Sequence, residues 1–411
     1  MKKVGSYALL ISMLSGCSQQ NTVNQTESEV SEAQMQENSE NIETEKMQDT
    51  EKIQNTEKIQ DTEKNENREK LSPFEMHGAL HVENGKLTDQ HGDVVQLYGM
   101  STHGIAWFPQ YVNPDAFRTL RDDWNTNCIR LAMYTAEDGG YCSGGDKEQL
   151  KQLVKDGVSY ATDLGMYVIV DWHILSDGDP NQNKDEAIAF FKEMAETFVN
   201  NDNVLYEICN EPNGGTSWES IKAYAEEIIP VIREKKPDAV ILVGTPTWSQ
   251  EIDKAAESPL EDKNVMYTLH FYAGTHKDDL RNRLESYAQN GLPIFVSEFG
   301  MCDASGNGAN DFESTAKWLD LLNKYQISFM CWNLANKDES SSVFRANSTK
   351  ISDWTEEDLS EAGQWIKAYF QTVKETIGVG VNEKAALSSD KNCPFVYINF
   401  DFTLVNKVAS L

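Results

Sequence analysis

Positive charge is scarce in this chain: 36 Lys and Arg stand against 66 Asp and Glu, a formal net charge of -30 over 411 residues. Such a surface repels polyanions and excludes nucleic-acid binding as a function, while an uncharged polymer is indifferent to it. No long apolar run is present either. The longest near the start, Val4 to Leu14, is too short to cross a bilayer. The seven cysteines include no Cys-x-x-Cys pair, and the seven histidines no His-Glu-x-x-His pattern, so the usual zinc spacings are missing. No glycine-rich phosphate loop follows the first strand-like run, which counts against a dinucleotide-binding doubly wound sheet.

The chain divides by texture. Lys2 and Lys3 ahead of the Val4–Leu14 run, then Leu14-Ser15-Gly16-Cys17, have the form of an export signal. The small residues before Cys17 resemble the bacterial lipoprotein signal, in which the cysteine is lipidated and becomes the new N-terminus. A plain secretory signal with an incidental cysteine is the other reading. Both expect an exported protein, anchored at the membrane through Cys17 or secreted. Residues 18–72 are poor in aromatics and carry the repeat Thr44-Glu45-Lys46-Met47-Gln48-Asp49, Thr50-Glu51-Lys52-Ile53-Gln54-Asn55, Thr56-Glu57-Lys58-Ile59-Gln60-Asp61. One apolar residue in six builds no helical face, so a disordered linker is expected. Its 14 acidic and 6 basic residues leave -24 for residues 73–411. A tether of this length spans roughly 40 Å, more when its charges repel. Residues 376–411 form a tail that reads equally as an added strand, a disordered end or a stretch of altered reading frame.

Between them the pattern alternates. An Asn84-Gly85 hairpin signal lies within His81–Leu87. Eight strand-like runs follow, at Val94–Gly99, Cys128–Leu131, Met166–Asp171, Val204–Ile208, Ala239–Val243, Val265–Leu269, Pro293–Ser297 and Ser328–Asn333. Helical stripes separate them, such as Leu150, Leu153, Val154, Val158, Ala161 and Leu164 with Gly165 as the stop, or Ala187, Ile188, Phe191, Met194, Ala195 and Phe198. Eight βα units spell an α/β (β/α)8 TIM barrel over residues 73–375, ending in a helix at Leu359–Val373, with the active site at the C-terminal ends of the strands. Cys128, Cys209, Cys302 and Cys331 fall in or just beyond strand-like runs and are expected to be small buried hydrophobes.

Two glutamates directly follow apolar runs: Glu211 in Asn210-Glu211-Pro212 after the fourth, and Glu298 in Ser297-Glu298-Phe299-Gly300 after the seventh. Carboxylates at two strand ends can face one pocket and divide glycoside cleavage between them. Further motifs run in order along the strands: Gly99-Met100-Ser101-Thr102-His103-Gly104, Asn127-Cys128-Ile129-Arg130-Leu131, Asp171-Trp172-His173, Leu269-His270-Phe271-Tyr272 and Cys331-Trp332-Asn333. On these motifs residues 76–375 resemble glycoside hydrolase family 5, in particular its bacterial endo-β-1,4-glucanases (cellulases). The resemblance implies retaining, endo-acting hydrolysis of cellulose and related β-glucans, with Glu211 as proton donor and Glu298 as nucleophile. Arg130 and Tyr272 would hold Glu298 ionised, Asn210 would reach the sugar 2-hydroxyl, and His270 would support the pair. Substrate contacts would come from His103, Trp107, Tyr134, His173, Trp248, Trp332, Lys337 and Glu339. Trp124, Trp318, Trp354 and Trp365 fall in helical or loop patterns and are assigned to packing.

No cofactor and no metal is implied, and a monomer is expected. The same catalytic pair would serve on mannan, xylan or mixed-linkage glucan. A carbohydrate-binding surface protein that keeps the groove without the chemistry is the alternative of a different class. No separate carbohydrate-binding module is evident, which favours soluble or amorphous chains over crystalline cellulose as substrate.

Overall fold

The computed structural model describes residues 71–373. The export signal, Cys17, the repeats of the linker and the tail lie outside the described residues. Leu71 and Ser72, the end of the expected linker, lie inside them, and Ser72 caps the helix Pro73–His77 in a reciprocal box with Glu75. The expected hairpin follows, β1 (His81–Glu83) against β2 (Lys86–Thr88), with Asn84 and Gly85 both at positive φ.

Eight parallel strands close on themselves: β3 (Tyr98–Thr102), β4 (Cys128–Tyr134), β5 (Tyr167–His173), β6 (Val204–Glu207), β7 (Ile241–Val243), β8 (Val265–Thr268), β10 (Ile294–Gly300) and β11 (Phe329–Leu334). The ring is shut by β11 pairing with both β10 and β3. The two-residue β9 (Phe271–Tyr272) extends the β8 path past an interruption at Leu269 and His270 and pairs again with β10. Helices on the outside start where the sequence supplies caps. Asp146 accepts from the Gln149 N–H ahead of Lys147–Asp163, and Ser217 caps Trp218–Arg233. Gly165, at φ 64°, takes the left-handed turn that stops the first of these. The last described helix covers residues 361–373.

The period-2 alternation of each strand decides what faces the barrel axis. On β4, Ile129, Leu131 and Met133 pack outward against the helices, so Cys128, Arg130, Ala132 and Tyr134 point inward. On β5, Val168, Val170 and Trp172 face out, leaving Tyr167, Ile169, Asp171 and His173 inside. The lower interior is apolar, filled by Leu97, Cys128, Tyr167, Ile169, Leu205, Leu242, Met266, Phe295 and Met330. One layer higher the inward positions become ionisable, and that change of character marks the site.

The first barrel strand begins four residues later than expected. Val95 and Leu97 close the barrel floor with Leu80 and Leu87, Val95 bonding back to the Leu87 carbonyl, so the parallel strand starts at Tyr98. Among the described residues all five cysteines are free; Cys128, Cys209, Cys302 and Cys331 are buried and Cys142 is partly buried. Trp124, Trp318, Trp354 and Trp365 are buried in the outer core.

Candidate active site

Arg130 is the centre of the ionisable layer. Its guanidinium is fully buried and donates to Glu207 (Nε to Oε2 2.7 Å, an Nη to Oε1 3.2 Å), to Glu298 Oε2 (3.2 Å), to Asn210 Oδ1 (2.6 Å) and to Ser101 Oγ (3.2 Å), with Asp171 Oδ2 at 3.0 Å. Burial opposes its charge, but Asp171, Glu207 and Glu298 outweigh burial and push its pKa up, so it remains a cation.

Glu298 and Glu211 stand above it. A carboxylate oxygen from each, with one nitrogen of His270, lie within 4.8 Å of one another. Glu298 reaches this position through an irregularity in β10. Val296 aligns with Phe329 and Phe299 with Cys331, so three steps on β10 face two on β11. The extra residue turns consecutive side chains inward: Ser297 contacts His270 and Glu207, while Glu298 contacts Arg130 and Tyr272. A bulge beside a site re-aims a side chain in this way.

The two glutamates differ in their partners. Tyr272 donates to Glu298 Oε1 (2.8 Å) and Arg130 to its Oε2. Burial keeps the Tyr272 phenol protonated, helped by the Glu298 charge, so it is always a donor here. Burial raises the Glu298 carboxyl, an ionised Glu211 adds to the rise, and Arg130 restrains it. Glu211 faces His270 Nδ1 at 3.0 Å. Burial drives its pKa up to about 8; Arg130 opposes this, and the charges of Glu207 and Asp171 reinforce it. The pair therefore shares its protons unequally, with the proton resting on Glu211 at neutral pH.

His270 is neutral. Burial lowers its pKa to about 4 despite the Glu298 and Glu207 charges, so its contact with Glu211 is a neutral hydrogen bond, not an ion pair. Glu211, His270 and Glu298 are also the one set of donors among the described residues grouped closely enough to ligate a metal. The His270 nitrogens are engaged with Glu211 and Ser297, and the Glu298 oxygens with Tyr272 and Arg130. That donor chemistry is acid–base pairing.

Above the pair opens a cleft of about 690 Å³. Of the residues singled out from sequence, His103, Trp107, Tyr134, His173, Glu211, Trp248, His270, Tyr272, Glu298, Trp332, Lys337 and Glu339 all line it. Trp107 and Trp248 are exposed at 38% and 46%, unlike the other tryptophans named above, and follow β3 and β7, which face each other across an eight-stranded ring. Trp332 lies flat against His173 (centroids 5.2 Å apart, planes 15°). Partly buried Glu339 is held by Ser341, while half-exposed Lys337 pairs with it at 2.5 Å.

Trp248 is presented by an unusual backbone. Thr247, Trp248 and Ser249 all have φ between 54° and 57°, a left-handed turn that costs a non-glycine residue of order 1–3 kcal/mol. Neighbours over-determine it: the Trp248 N–H donates to Pro212 O (2.9 Å), Ser249 Oγ to Asn210 O (2.7 Å), and the His270 N–H to Ser249 O (2.7 Å). One strained turn thus ties the Asn210-Glu211-Pro212 loop to His270.

Asn210 and Arg130 do not line the cleft. Asn210 is fully buried beneath it, accepting from Arg130 through Oδ1 and turning its amide nitrogen to His173 Nε2 and Ile174 O, each at 3.2 Å. Its amide thus braces the floor of the site through Arg130, His173 and Ile174. Several site residues were given no role from sequence: Glu207 and Asp171 in the floor, and Glu137, Leu175, Gln250, His276, Ala304, Ser305 and Gly306 on the cleft wall. Glu207 closes the apolar run of β6 and Asp171 breaks that of β5, and a carboxylate in such a run is the signal that marks them in the floor. Asp171 holds His173 Nδ1 at 2.6 Å, and burial lifts its pKa to about 7 against the pull of Arg130.

With this geometry in view, the comparisons with known proteins agree. Residues 88–338 match the model of the cellulase family, glycosyl hydrolase family 5. The chain belongs to that family and is a glycoside hydrolase. It is 50% identical over 293 residues to endoglucanase A of Butyrivibrio fibrisolvens, covering 71% of this chain and 68% of that one. It is 48% identical over 312 residues to endoglucanase 5 of Pectobacterium carotovorum subsp. carotovorum, covering 76% of this chain but 60% of that one. Among solved structures, the catalytic domain of a Thermobifida fusca endoglucanase in complex with cellotetraose superposes with a TM-score of 0.70 at 41% identity, over 73% of this chain and all of that one.

Proposed function

We propose that this protein cleaves internal β-1,4-glucosidic bonds of cellulose and related β-glucans by a double displacement that retains the anomeric configuration. The observation that carries this reading is the pair Glu211 and Glu298. Oxygens within 4.8 Å of each other suit the roughly 5–5.5 Å carboxyl separation of retaining enzymes, since inversion needs a wider gap to seat a water between acid and base. The partners of each carboxyl support the division of labour. Glu298, held by Arg130 and Tyr272, attacks the anomeric carbon while Glu211 gives its proton to the departing glycosidic oxygen. Glu211, now a carboxylate, then takes a proton from water, which hydrolyses the glycosyl–Glu298 ester. Trp107 and Trp248 offer flat apolar faces on which pyranose rings stack. The endoglucanase names of the relatives support β-1,4-glucan as the polymer.

The test is release of reducing ends from carboxymethylcellulose, with mannan, xylan and mixed-linkage glucan in parallel. Activity on the cellulose derivative that disappears in Glu298→Gln is expected. Activity confined to mannan or xylan would replace the substrate and keep the chemistry. Binding to glucan with no release of reducing ends would leave a carbohydrate-binding protein.

A further inference from the structure

We propose that Glu207 and Ser297 are positioning residues that fix His270 in one tautomer, with its hydrogen on Nε2 and its Nδ1 lone pair turned to Glu211. The catalytic consequence rests on Glu211 being the acid; the tautomer itself does not. Four side chains drawn from β6, β10, the break between β8 and β9, and the loop after β6 form one buried line. Glu207 Oε1 lies 2.7 Å from Ser297 Oγ, Ser297 Oγ 2.9 Å from His270 Nε2, and His270 Nδ1 3.0 Å from Glu211 Oε1.

The direction of this line follows from counting hydrogens. Burial raises the Glu207 carboxyl, but both its oxygens accept from the Arg130 fork, a bidentate contact that opposes the rise and favours the carboxylate. A carboxylate only accepts, so Ser297 must donate to it. A hydroxyl has one hydrogen, so Ser297 has only a lone pair left for His270, and Nε2 must carry the hydrogen. Neutral imidazole has a single N–H, which leaves Nδ1 bare. The group facing Nδ1 is Glu211 Oε1, and the contact is a hydrogen bond only when Glu211 is protonated. A bond made to the neutral acid disfavours its ionised form.

Other charges act on Glu211 and His270. Glu298, Asp171, Arg130 and Glu207 itself surround them, with neutral His173 and the phenols of Tyr134 and Tyr272 alongside. None of these except Glu207, through Ser297, is hydrogen-bonded in a way that selects which His270 nitrogen bears the proton. Once Glu211 has given its proton to the leaving oxygen, it faces a bare Nδ1. That mismatch is relieved when Glu211 takes a proton from the incoming water, so the line favours the second step as well as preparing the first.

The test combines ¹⁵N NMR of the histidine rings in the whole protein with pH profiles of kcat/KM. With seven histidines in the chain, the His270 signals can be assigned by their loss in His270→Gln. Wild type should show the Nε2–H tautomer at neutral pH. In Glu207→Gln the amide oxygen stays with Arg130 Nε and the NH2 turns to Ser297, which reverses the line. His270 should then shift to Nδ1–H, and the alkaline limb of kcat/KM should move about one pH unit lower. In a Ser297→Ala background the same Glu207→Gln change should leave the tautomer where Ser297→Ala alone puts it. A wild type with Nδ1–H, or a Glu207→Gln tautomer like wild type, would overturn the proposal. So would an equal Glu207→Gln effect with and without the Ser297 hydroxyl, which would mark charge acting through space. If Glu211→Gln keeps full activity, the assignment of the acid falls while the tautomer result stands.

Discussion

Two glutamates with the same side chain are given different tasks by what touches them. Glu298 accepts from one cation and one phenol; Glu211 faces a neutral imidazole. The consequence is a pH profile with a defined sign. Glu211 works while protonated and has been raised to about 8, chiefly by burial, so kcat/KM should fall as pH rises through about 8. An alkaline limb near pH 5 would contradict the assignment. Substitution separates the two roles further. Glu211→Ala should lose nearly all activity on polymer yet still form the glycosyl-enzyme from an aryl glycoside with a good leaving group, and azide should restore turnover. Glu298→Ala should turn over neither substrate by the covalent route. Azide rescue with a retained anomer in Glu298→Ala, alongside equal loss on both substrates in Glu211→Ala, would reverse the roles. Arg130→Ala should resemble Glu298→Ala in activity. It should also cost about 3–5 kcal/mol in a denaturant melt, because Glu207, Asp171 and Glu298 would lose their buried counter-charge.

These residues were unequally legible in the sequence. Glu211 and Glu298 stand just after apolar runs within ordered motifs, which located both before any geometry was known. Glu207 and Asp171 lie inside such runs, where period and composition say only that the strand is buried. Their meaning comes from Arg130 on β4, one strand away from Asp171 and two from Glu207, and contact between strands is invisible in a linear pattern. Asn210 shows the converse limit: a motif placed it next to Glu211, but only packing revealed that Arg130, His173 and Ile174 occupy its amide.

At the scale of elements, the eight strands and the Asn84-Gly85 hairpin were readable because alternation and turn chemistry are local. The start of the first barrel strand was misjudged because Val95 and Leu97 are as apolar as a strand interior while serving the floor of the barrel. The two local irregularities that shape the site left no pattern to read. The β10 bulge is a property of register against β11, and the left-handed turn at Thr247–Ser249 is held by hydrogen bonds to the carbonyls of Pro212 and Asn210 and from the His270 N–H. That turn carries its own prediction. Trp248 is half exposed and packs against no core cluster, so Trp248→Ala should leave the melting temperature nearly unchanged. Losing one stacking face should raise KM for long glucan chains about fivefold with little change in kcat. A large loss of stability with unchanged KM would make Trp248 a packing residue.

For the whole molecule, the barrel and what precedes it follow different physics. The barrel buries continuous apolar strands and a layer of paired charges, whereas the hexapeptide repeats offer one apolar residue in six and little to bury. We propose that the N-terminal region exports the protein and holds it at a membrane through lipid on Cys17, with residues 18–70 as the tether. Among the described residues, the hydrogen bonds that hold Glu211, Glu298 and Arg130 are all made by residues 101–298, so the catalytic pair is expected to work without that region. Removing residues 18–70 should therefore leave specific activity on soluble glucan and the melting temperature at wild-type values. Cys17→Ser should move the protein from the membrane fraction to the soluble exported fraction without changing turnover on soluble substrate. A Cys17→Ser protein that stays with the membrane as tightly as wild type would remove the lipid anchor. A tether deletion that lowers the melting temperature would mean these residues pack on the barrel. The comparison is sharpest on insoluble glucan, where a span of roughly 40 Å sets how far an anchored barrel reaches. There the tether deletion should cost activity in whole cells and not in detergent-solubilised enzyme.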